Sequence, residues 1–324
     1  MTERSGSGFW TAQRVLVTGG RGFLGSHVVE RLKALRPKVL IVPSRRDCDL
    51  TSLPAVESLI KKERPSMVIN LAAVCGGIGA NQAEPGRFFY ENIIMGAQLM
   101  DASRRLGVEK LLQVGTVCSY PKHTPVPFEE ESLWDGYPEE TNAPYGIAKK
   151  ALLVQAQAYR QQYGFNAIYI IPINLYGPGD HFNLKTSHVI PALIRKCATA
   201  AETSARSIEC WGTGKATREF LYVEDAARGL LMAAERYNKP APINLGFGGE
   251  ISIKELVELI AKLTGFKGEI LWDSRKPDGQ PRRHLEVSKA LKEFGFKAET
   301  SLEEGLKKTV AWYRSQVKAG ALTE

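Results

Sequence analysis

The chain has 324 residues, 44% of them hydrophobic, and a formal net charge of +8 at pH 7. This length and apolar content suffice for a full core in one large domain or two unequal ones. The sequence has no run close to the ~18 consecutive apolar residues of a membrane span, and residues 1–8 lack the apolar core of a secretory signal. We therefore expect a globular protein in the cytoplasm, without a membrane partner.

The positions of the cysteines and basic residues argue against two kinds of ligand, a metal ion and a nucleic acid. The five cysteines are scattered, with neither a close pair nor the spacing of a zinc site, so we expect free thiols in a reducing compartment and no metal. The basic residues are dispersed and form no dense tract interleaved with aromatics, which argues against nucleic acid as a partner. Some of these cations can instead hold the phosphate groups of a small anionic ligand.

Short β-branched runs alternate with helical periods in the first half of the chain, as in a parallel sheet with crossover helices. The predicted strands are 15–17, 39–42, 67–71, 111–114 and 168–171, and the predicted helices include 24–35, 88–106 and 145–163.

The pattern loosens after Asn174, where glycines at 177–179 and 212–214 mark loops. A strand and a helix return at 220–237, a last strand is predicted at 243–246, and amphipathic helices are predicted at 253–263 and 302–313. The fold class is therefore α/β, a Rossmann-type doubly wound parallel sheet with a smaller C-terminal α/β substrate lobe. The expected division is a dinucleotide-binding domain at 11–176 and 219–248, a substrate lobe at 177–218 and 249–324, and a flexible tail at 1–10.

A glycine-rich turn joins the first strand to the first long helix. Gly19, Gly22 and Gly25 have the spacing in which the first glycine makes the turn, the second admits a pyrophosphate and the third permits close helix packing. Phe23 and Leu24 open the helix, whose free N–H groups face the phosphates. A turn that serves only the fold is the alternative, but the order strand, turn, helix favours a dinucleotide site.

The end of the second strand indicates which dinucleotide binds. Arg45 and Arg46 stand where an acidic residue would accept the ribose hydroxyls of NADH, and arginine there accommodates a 2′-phosphate. The sequence therefore predicts NADP(H), with Asp49 and Leu50 near the adenine. Two arginines that simply face solvent are the competing interpretation.

A tyrosine and a lysine form the predicted reduction site. Tyr145 and Lys149 are one helical turn apart, and a nearby cation stabilises a phenolate whose ordinary pKa is about 10. Lys149 can also reach the nicotinamide ribose, while the Thr116 hydroxyl orients a substrate carbonyl. An exposed helix face is the alternative, and the preceding dinucleotide turn disfavours it.

The glycine turn, the 70–73 segment, Thr116 and the Tyr145/Lys149 pair together resemble the extended short-chain dehydrogenase/reductases over nearly the whole chain. Longer strings at 71–78, 118–122, 174–178, 187–193 and 276–279 closely resemble the GDP-L-fucose synthases. The resemblance implies epimerisation of GDP-4-keto-6-deoxy-D-mannose at C3 and C5, followed by reduction of its C4 ketone with NADPH. It also implies a homodimer through the helices at 88–106 and 145–163.

The resemblance assigns further residues. A thiol and an imidazole both have pKa values near enough to neutrality to exchange protons, and Cys118 matches the base and His188 the acid. The cofactor set adds Leu71, Ala72, Ala73, Pro172, Asn174, Leu175 and again His188, while the substrate set is Arg195, Trp211, Arg218, Asp278 and Arg283.

Two residues depart from the usual pattern of that family. Thr116 replaces the commoner serine but keeps the hydroxyl, and Arg283 replaces a lysine but keeps the charge. A related epimerase or 4-reductase of another GDP-deoxy sugar or heptose is the nearest alternative. A 4,6-dehydratase is disfavoured because Val117 and Cys118 stand where that family carries an acidic pair. A non-catalytic dinucleotide sensor is a distant alternative.

Overall fold

A computed structural model of the protein describes residues 7–184, 186–276 and 278–321. The strands in these ranges are β1 (Arg14–Thr18), β2 (Val39–Ile41), β3 (Met67–Asn70), β4 (Lys110–Val114), β5 (Asn166–Pro172), β6 (Asn174–Tyr176), β7 (Ser207–Trp211), β8 (Thr217–Tyr222), β9 (Ile243–Leu245), β10 (Glu250–Ser252), β11 (Glu269–Asp273) and β12 (Arg282–Arg283). The helices are α1 (Ser7–Ala12), α2 (Phe23–Leu35), α3 (Leu53–Glu63), α4 (Ile78–Ala83), α5 (Pro85–Arg105), α6 (Ala143–Tyr163), α7 (Val189–Glu202), α8 (Val223–Arg236), α9 (Ile253–Thr264), α10 (Ser288–Phe294) and α11 (Leu302–Lys318).

Six parallel strands in the order β2-β1-β3-β4-β5-β9 form the central sheet. Five of these strands are buried on both faces because helices cover each side, whereas the edge strand β2 is half-buried. Val15 and Val17 pack into the core beneath α2 and α8, whereas Leu16, between them, packs towards α3 and α5. This alternation is the period of a strand, and the predicted Rossmann-type α/β fold is confirmed.

The order in which strands are added to the sheet reverses next to β1. It leaves β1 for β2 on one side and then returns to β3 on the other side. In open α/β sheets a crevice forms beyond the carboxyl ends of the strands at such a point, and ligands bind there. The fold thus places a binding crevice at the residues that follow β1 and β3.

A second lobe lies over this crevice. β8 pairs with β6, β10 and β12, while β7 pairs with β11. Helices α7, α9 and α11 pack with these strands around a separate apolar core that includes Ile194, Ile260 and Val310. Ser252 and Glu255 form a capping box that fixes the start of α9. No helix in the described ranges is both long and apolar enough to span a bilayer.

Two of the expected domain boundaries do not match how the described residues pack. Residues 8–10 are not a tail: they lie in α1, where Trp10 is 1% exposed and packs into the main core, while residues 1–6 lie outside the described ranges. The segment that contains α10 was assigned to the substrate lobe, yet Leu285 and Phe294 pack into the core of the first domain. Apolar side chains so far along the chain can join that core because the chain returns to the sheet edge near β9.

Replacing Trp10 by alanine tests the packing of the amino-terminal helix. Removing a fully buried indole should lower the free energy of unfolding by about 3–5 kcal/mol. Urea denaturation measures this change, with the exposed Thr11→Ala as the matched control, for which we expect a change below about 0.5 kcal/mol. Equal midpoints for the two variants would show that α1 does not contribute to the core.

Candidate active site

The glycine turn is shaped by contacts that leave no room for side chains. Gly19 has φ +69°, and a Cβ there would lie 2.7 Å from the Ala72 backbone nitrogen, at the end of β3. A Cβ on Gly25 would lie 2.0 Å from the Gly19 carbonyl oxygen. The backbone therefore forms an open cradle at the start of α2, and this shape fits the pyrophosphate of a dinucleotide.

A single cavity of about 780 Å³ extends from this cradle to the second lobe. Most of the residues assigned from the sequence line it, and they come from both lobes. The assigned residues in its wall are Gly19, Gly22, Phe23, Leu24, Gly25, Leu71, Ala73, Thr116, Cys118, Tyr145, Lys149, Pro172, Asn174, Leu175, His188, Trp211, Arg218, Asp278 and Arg283.

Tyr145 and Lys149 lie one turn apart near the start of α6. Lys149 is 2% exposed, and its Nζ donates to the carbonyl oxygens of Val114 at 3.3 Å and Ala72 at 3.5 Å. Burial lowers the pKa of Lys149 to about 8. Burial also raises the pKa of Tyr145 well above its ordinary value, and the Thr116 hydroxyl partly opposes this shift. The phenol thus stays protonated near neutral pH and can donate a proton to a ketone oxygen.

Cys118 and His188 line the same cavity from different lobes. Arg283 places Nη1 3.8 Å from the Cys118 sulfur and 3.4 Å from Asn174 Oδ1. His188 stands directly before α7, and burial, followed by the charge of Arg283, lowers the pKa of its ring. The cavity therefore presents a thiol and an imidazole, the two groups of this set that can exchange protons, beside a guanidinium that stays charged.

The second lobe contributes cations and an exposed indole. Arg218 donates to the carbonyl oxygens of Thr217 at 2.8 Å and Asp278 at 3.0 Å, and burial, followed by Arg283, lowers its pKa to about 9. Trp211 is 53% exposed, so its ring is available to stack on a base. Arg218 and Arg283 thus place two neighbouring guanidinium groups in this wall of the cavity.

Several assigned residues lie elsewhere. Arg195 does not line the cavity: its Nη1 donates to the Phe182 carbonyl oxygen, and the next residue, Lys196, lines it instead. Leu50 is 9% exposed and packs into the core. The Asp49 carboxylate accepts from Thr51, within its own turn. The side of the helix on which a residue lies, and the hydrogen bonds within a turn, decide whether it reaches the cavity. Neither can be inferred from the residue type alone.

Four further assigned residues differ in their relation to the cavity: Ala72, Arg45 and Arg46 are not in its wall, whereas Asp278 is. The Ala72 backbone contributes through its carbonyl, which accepts from Lys149. Arg45 and Arg46 are exposed and lie on the turn after β2, next to the glycine turn, because Arg21 reaches Asp47 of that turn at 3.6 Å. The Asp278 carboxylate accepts from the Thr213 amide at 2.7 Å and its hydroxyl at 2.8 Å, so it braces a loop.

Sequence reasoning missed residues that the cavity contains. Cys75 lines it as a second thiol beside Tyr145, whose pKa its charge helps to raise. Asn81 and Gln280 also line it, and Gln280 accepts from Arg283 Nε at 3.1 Å. Cys75 lies within the string at 71–78 and Gln280 directly follows the string at 276–279, and this position in the chain is the signal that could have found them.

A glycine cradle at the reversal point of a doubly wound sheet, facing a Tyr–Lys pair, defines a dinucleotide-dependent oxidoreductase. A family model for the NAD dependent epimerase/dehydratase family matches residues 15–246. The chain belongs to that family.

Relatives and solved structures agree with this assignment. The chain is 45% identical to a GDP-L-fucose synthase of Sinorhizobium fredii, over 94% of this chain and 96% of the relative, and 37% identical to that of Escherichia coli, over 93% and 96%. A GDP-L-fucose synthetase from Naegleria fowleri bound to NADP superposes with a TM-score of 0.85 at 30% identity, covering 95% and 96%. A GDP-6-OMe-4-keto-L-xylo-heptose reductase from C. jejuni gives 0.88 at 29%, covering 94% and 99%. The resemblance to the GDP-L-fucose synthases is confirmed.

Proposed function

We propose that this protein converts GDP-4-keto-6-deoxy-D-mannose to GDP-L-fucose by epimerisation at C3 and C5 and reduction at C4. One observation carries the proposal: a single cavity holds the dinucleotide cradle, the Tyr145/Lys149 pair, and the Cys118 and His188 side chains. Reduction needs only the first two features, whereas inversion beside a ketone needs proton-transfer groups on two faces of the sugar. The GDP-L-fucose synthases among its relatives support the substrate.

For epimerisation, we assign Cys118 as the base and His188 as the acid. The carbons beside a ketone lose protons because the resulting enolate is stabilised. The Arg283 guanidinium lies 3.8 Å from the Cys118 sulfur, the atom that would accept the proton. Burial, followed by the charge of Arg283, lowers the pKa of His188, and an anionic diphosphate beside Arg218 and Arg283 would raise it towards the protonated form.

For reduction, NADPH supplies the hydride when it is bound. Gly19, Gly22 and Gly25 would hold its pyrophosphate, and Arg45 and Arg46 its 2′-phosphate. Tyr145 donates the proton to the C4 oxygen, with Thr116 hydrogen-bonded to the same oxygen. Lys149, on the next turn of α6 and held by the Ala72 and Val114 carbonyls, provides the charge that favours the phenolate left after transfer.

A reductase of a GDP-heptose is the second candidate. The C. jejuni heptose reductase named above supports it, since it matches nearly its whole length at a TM-score of 0.88. Such an enzyme would need the glycine cradle and Tyr145 but not the pairing of Cys118 with His188. Incorporation of solvent deuterium at C3 and C5 therefore separates the two candidates.

Replacing Cys118 by serine and Tyr145 by phenylalanine should divide the reaction into its halves. With the GDP-keto sugar in deuterated buffer, Cys118→Ser should slow deuterium exchange about 100-fold or more, because an ordinary hydroxyl is a poor base. Tyr145→Phe should slow NADPH oxidation by about the same factor while exchange continues. NMR and absorbance at 340 nm measure the two steps. Normal reduction by the wild type without any exchange would contradict the epimerase assignment.

The turn after β2 should set the choice between the two nicotinamide cofactors. In the Arg45→Ala/Arg46→Ala double variant we expect the KM for NADPH to rise about tenfold or more, with that for NADH unchanged, because two cations that face the 2′-phosphate are lost. Steady-state kinetics with both cofactors measure this, and Arg31→Ala, exposed on α2, is the control. Equal use of both cofactors by the wild type would remove the proposed roles of these arginines.

We also propose a homodimer through α5 and α6. These helices pack on each other yet leave Phe89, Tyr90, Val154 and Tyr163 exposed to solvent. A second copy would cover this apolar surface. The proposed location is the cytoplasm, whose reducing conditions suit cysteines that are all free in this structure.

Replacing Val154, which is 49% exposed, by glutamate should dissociate the dimer, because it would bury a carboxylate in the interface. Sedimentation equilibrium measures the mass. Leu291→Glu, at an equally exposed apolar site on α10, should leave the mass unchanged. A wild type that sediments as a monomer at micromolar concentration would contradict the proposal.

A further inference from the structure

Two neighbouring strands of the second lobe carry charged side chains on both faces. β8 and β12 run parallel, with Arg218 in register with Arg283. Successive side chains of a strand point to opposite faces. Arg218 and Arg283 line the cavity, and the next residues, Glu219 and His284, meet on the other face, with Nδ1 2.9 Å from Oε2.

Glu219 is completely buried and its carboxylate is fully used. Oε1 accepts from the amides of Phe247 at 2.5 Å and Gly248 at 2.9 Å. Oε2 accepts from His284 Nδ1 at 2.9 Å and from the Leu285 amide at 2.7 Å. A buried carboxylate is costly unless its oxygens are satisfied, and here it joins the loop after β9 to the segment after β12.

β12 needs such an anchor because it is short. It has two residues, and among the described residues its only strand partner is β8. Arg283, which β12 carries, is 9% exposed. In the described part of the chain no carboxylate lies within ion-pair distance of its guanidinium, so neutral groups alone hold it. Its partners are Gln280, Asn174 and the Cys118 sulfur.

Glu219 also fixes one of those partners. Its backbone carbonyl accepts from Asn174 Nδ2 at 2.9 Å, and Asn174 Oδ1 then lies 3.4 Å from Arg283 Nη1. The carboxylate thus anchors the strand that carries Arg283, and the carbonyl orients the side chain that Arg283 contacts. Both routes end at the guanidinium beside Cys118.

The charges on the two faces of these strands act on different groups. On the cavity face, the charge of Arg283 contributes to lowering the pKa of Arg218, and the charges of Asp278 and Glu139 oppose this shift. The hydrogen bond to Glu219 raises the pKa of His284, and the other charged groups that act on this ring are Glu250 of β10 and Arg282 of β12.

We propose that Glu219 is a positioning residue that holds the Arg283 guanidinium beside the Cys118 sulfur. Glu219 reaches this arginine through β12 and Asn174, and it lies on the face of the sheet opposite the cavity wall. The consequence for proton transfer rests on the epimerisation proposed above, but the placement of Arg283 does not.

The first test needs no sugar substrate. Iodoacetamide alkylates the cysteine sulfur, and the Arg283 guanidinium contacts the Cys118 sulfur at 3.8 Å, so the alkylation rate of Cys118 reports the position of Arg283. A glutamine amide cannot accept hydrogen bonds at both of its terminal atoms, as the Glu219 carboxylate does. In Glu219→Gln we therefore expect the alkylation rate of Cys118 to fall about threefold or more. Peptide mass spectrometry resolves each cysteine, and Cys75 in the same cavity should keep its wild-type rate.

The matched control is Glu250→Gln. Glu250 lies on β10, beside β8, and accepts from Thr217 and from Arg282, the residue of β12 that precedes Arg283. This variant therefore removes an exposed ion pair to the same strand and leaves the buried Glu219 carboxylate in place. We expect wild-type alkylation of Cys118 in this variant. Glu219→Asp keeps the charge but is one methylene shorter, so its Cys118 rate should fall between those of the wild type and Glu219→Gln.

The second test uses the GDP-keto sugar in deuterated buffer. Glu219→Gln should lower exchange at C3 and C5 about tenfold, with the Kd for NADPH within about twofold of the wild type, because the glycine cradle lies in the other lobe. If the wild type shows no exchange, the proposed function fails, and the alkylation rates still decide the role of Glu219.

Two results would overturn the proposal. One is wild-type alkylation of Cys118 in Glu219→Gln. The other is an equal slowing of Cys75 together with weaker NADPH binding, which would mean that the fold had loosened generally. If Glu219→Gln does not fold, His284→Ala replaces it, since this variant removes one donor to the carboxylate at a partly exposed position. Slower Cys118 alkylation with unchanged Cys75 is expected there too, and wild-type rates for both thiols would overturn the proposal.

Discussion

The close contact between the glycine turn and the end of β3 is the constraint on which the site depends. Gly19 approaches the Ala72 nitrogen so closely that a Cβ would lie 2.7 Å from it, and this contact shapes the phosphate cradle. The carbonyl of the same Ala72 accepts from Lys149, whose second acceptor is Val114 at the end of β4. One backbone position therefore links the cradle to the α6 turn that carries Tyr145, so cofactor and proton donor share a single rigid frame.

The second lobe supplies charge that the first lobe lacks. Arg218 and Arg283 lie together in the cavity wall, and their repulsion and burial favour an anionic ligand there. Trp211 and Lys196 extend this wall, and the glycine cradle opens at the far side of the same cavity. A nucleotide sugar with its diphosphate on the arginines would thus lie between the lobes, with its sugar towards Cys118 and Tyr145. The two lobes therefore contribute different groups. The ends of the parallel strands in the first lobe position backbone dipoles, whereas β8 and β12 of the second lobe carry guanidinium groups.

The roles of residues that act within a single turn, helix or strand could be predicted from the sequence. The glycine spacing and the Tyr145/Lys149 interval require only local geometry, and the β-branched runs indicated the parallel sheet. Arg195 was assigned in place of Lys196 because neighbouring positions on α7 differ by about 100° in direction, and sequence does not supply the phase. Trp10, expected in a flexible tail, lies in α1 and packs into the core, because burial of an apolar side chain depends on distant elements. Glu219 gave no signal at all, since its donors come from segments that follow β9 and β12.

The sequence by itself determined the α/β class, the dinucleotide turn and the identity of the reactive groups, because periodicity, glycine spacing and side-chain chemistry are local properties. Only the tertiary structure decided which groups meet. It brought Cys118, from the loop after β4, next to Arg283, from a two-residue strand more than half the chain away, and it left Arg195 outside the cavity. Such contacts depend on how the second lobe packs over the sheet, and that packing is set by the sum of many weak apolar interactions that no short motif encodes.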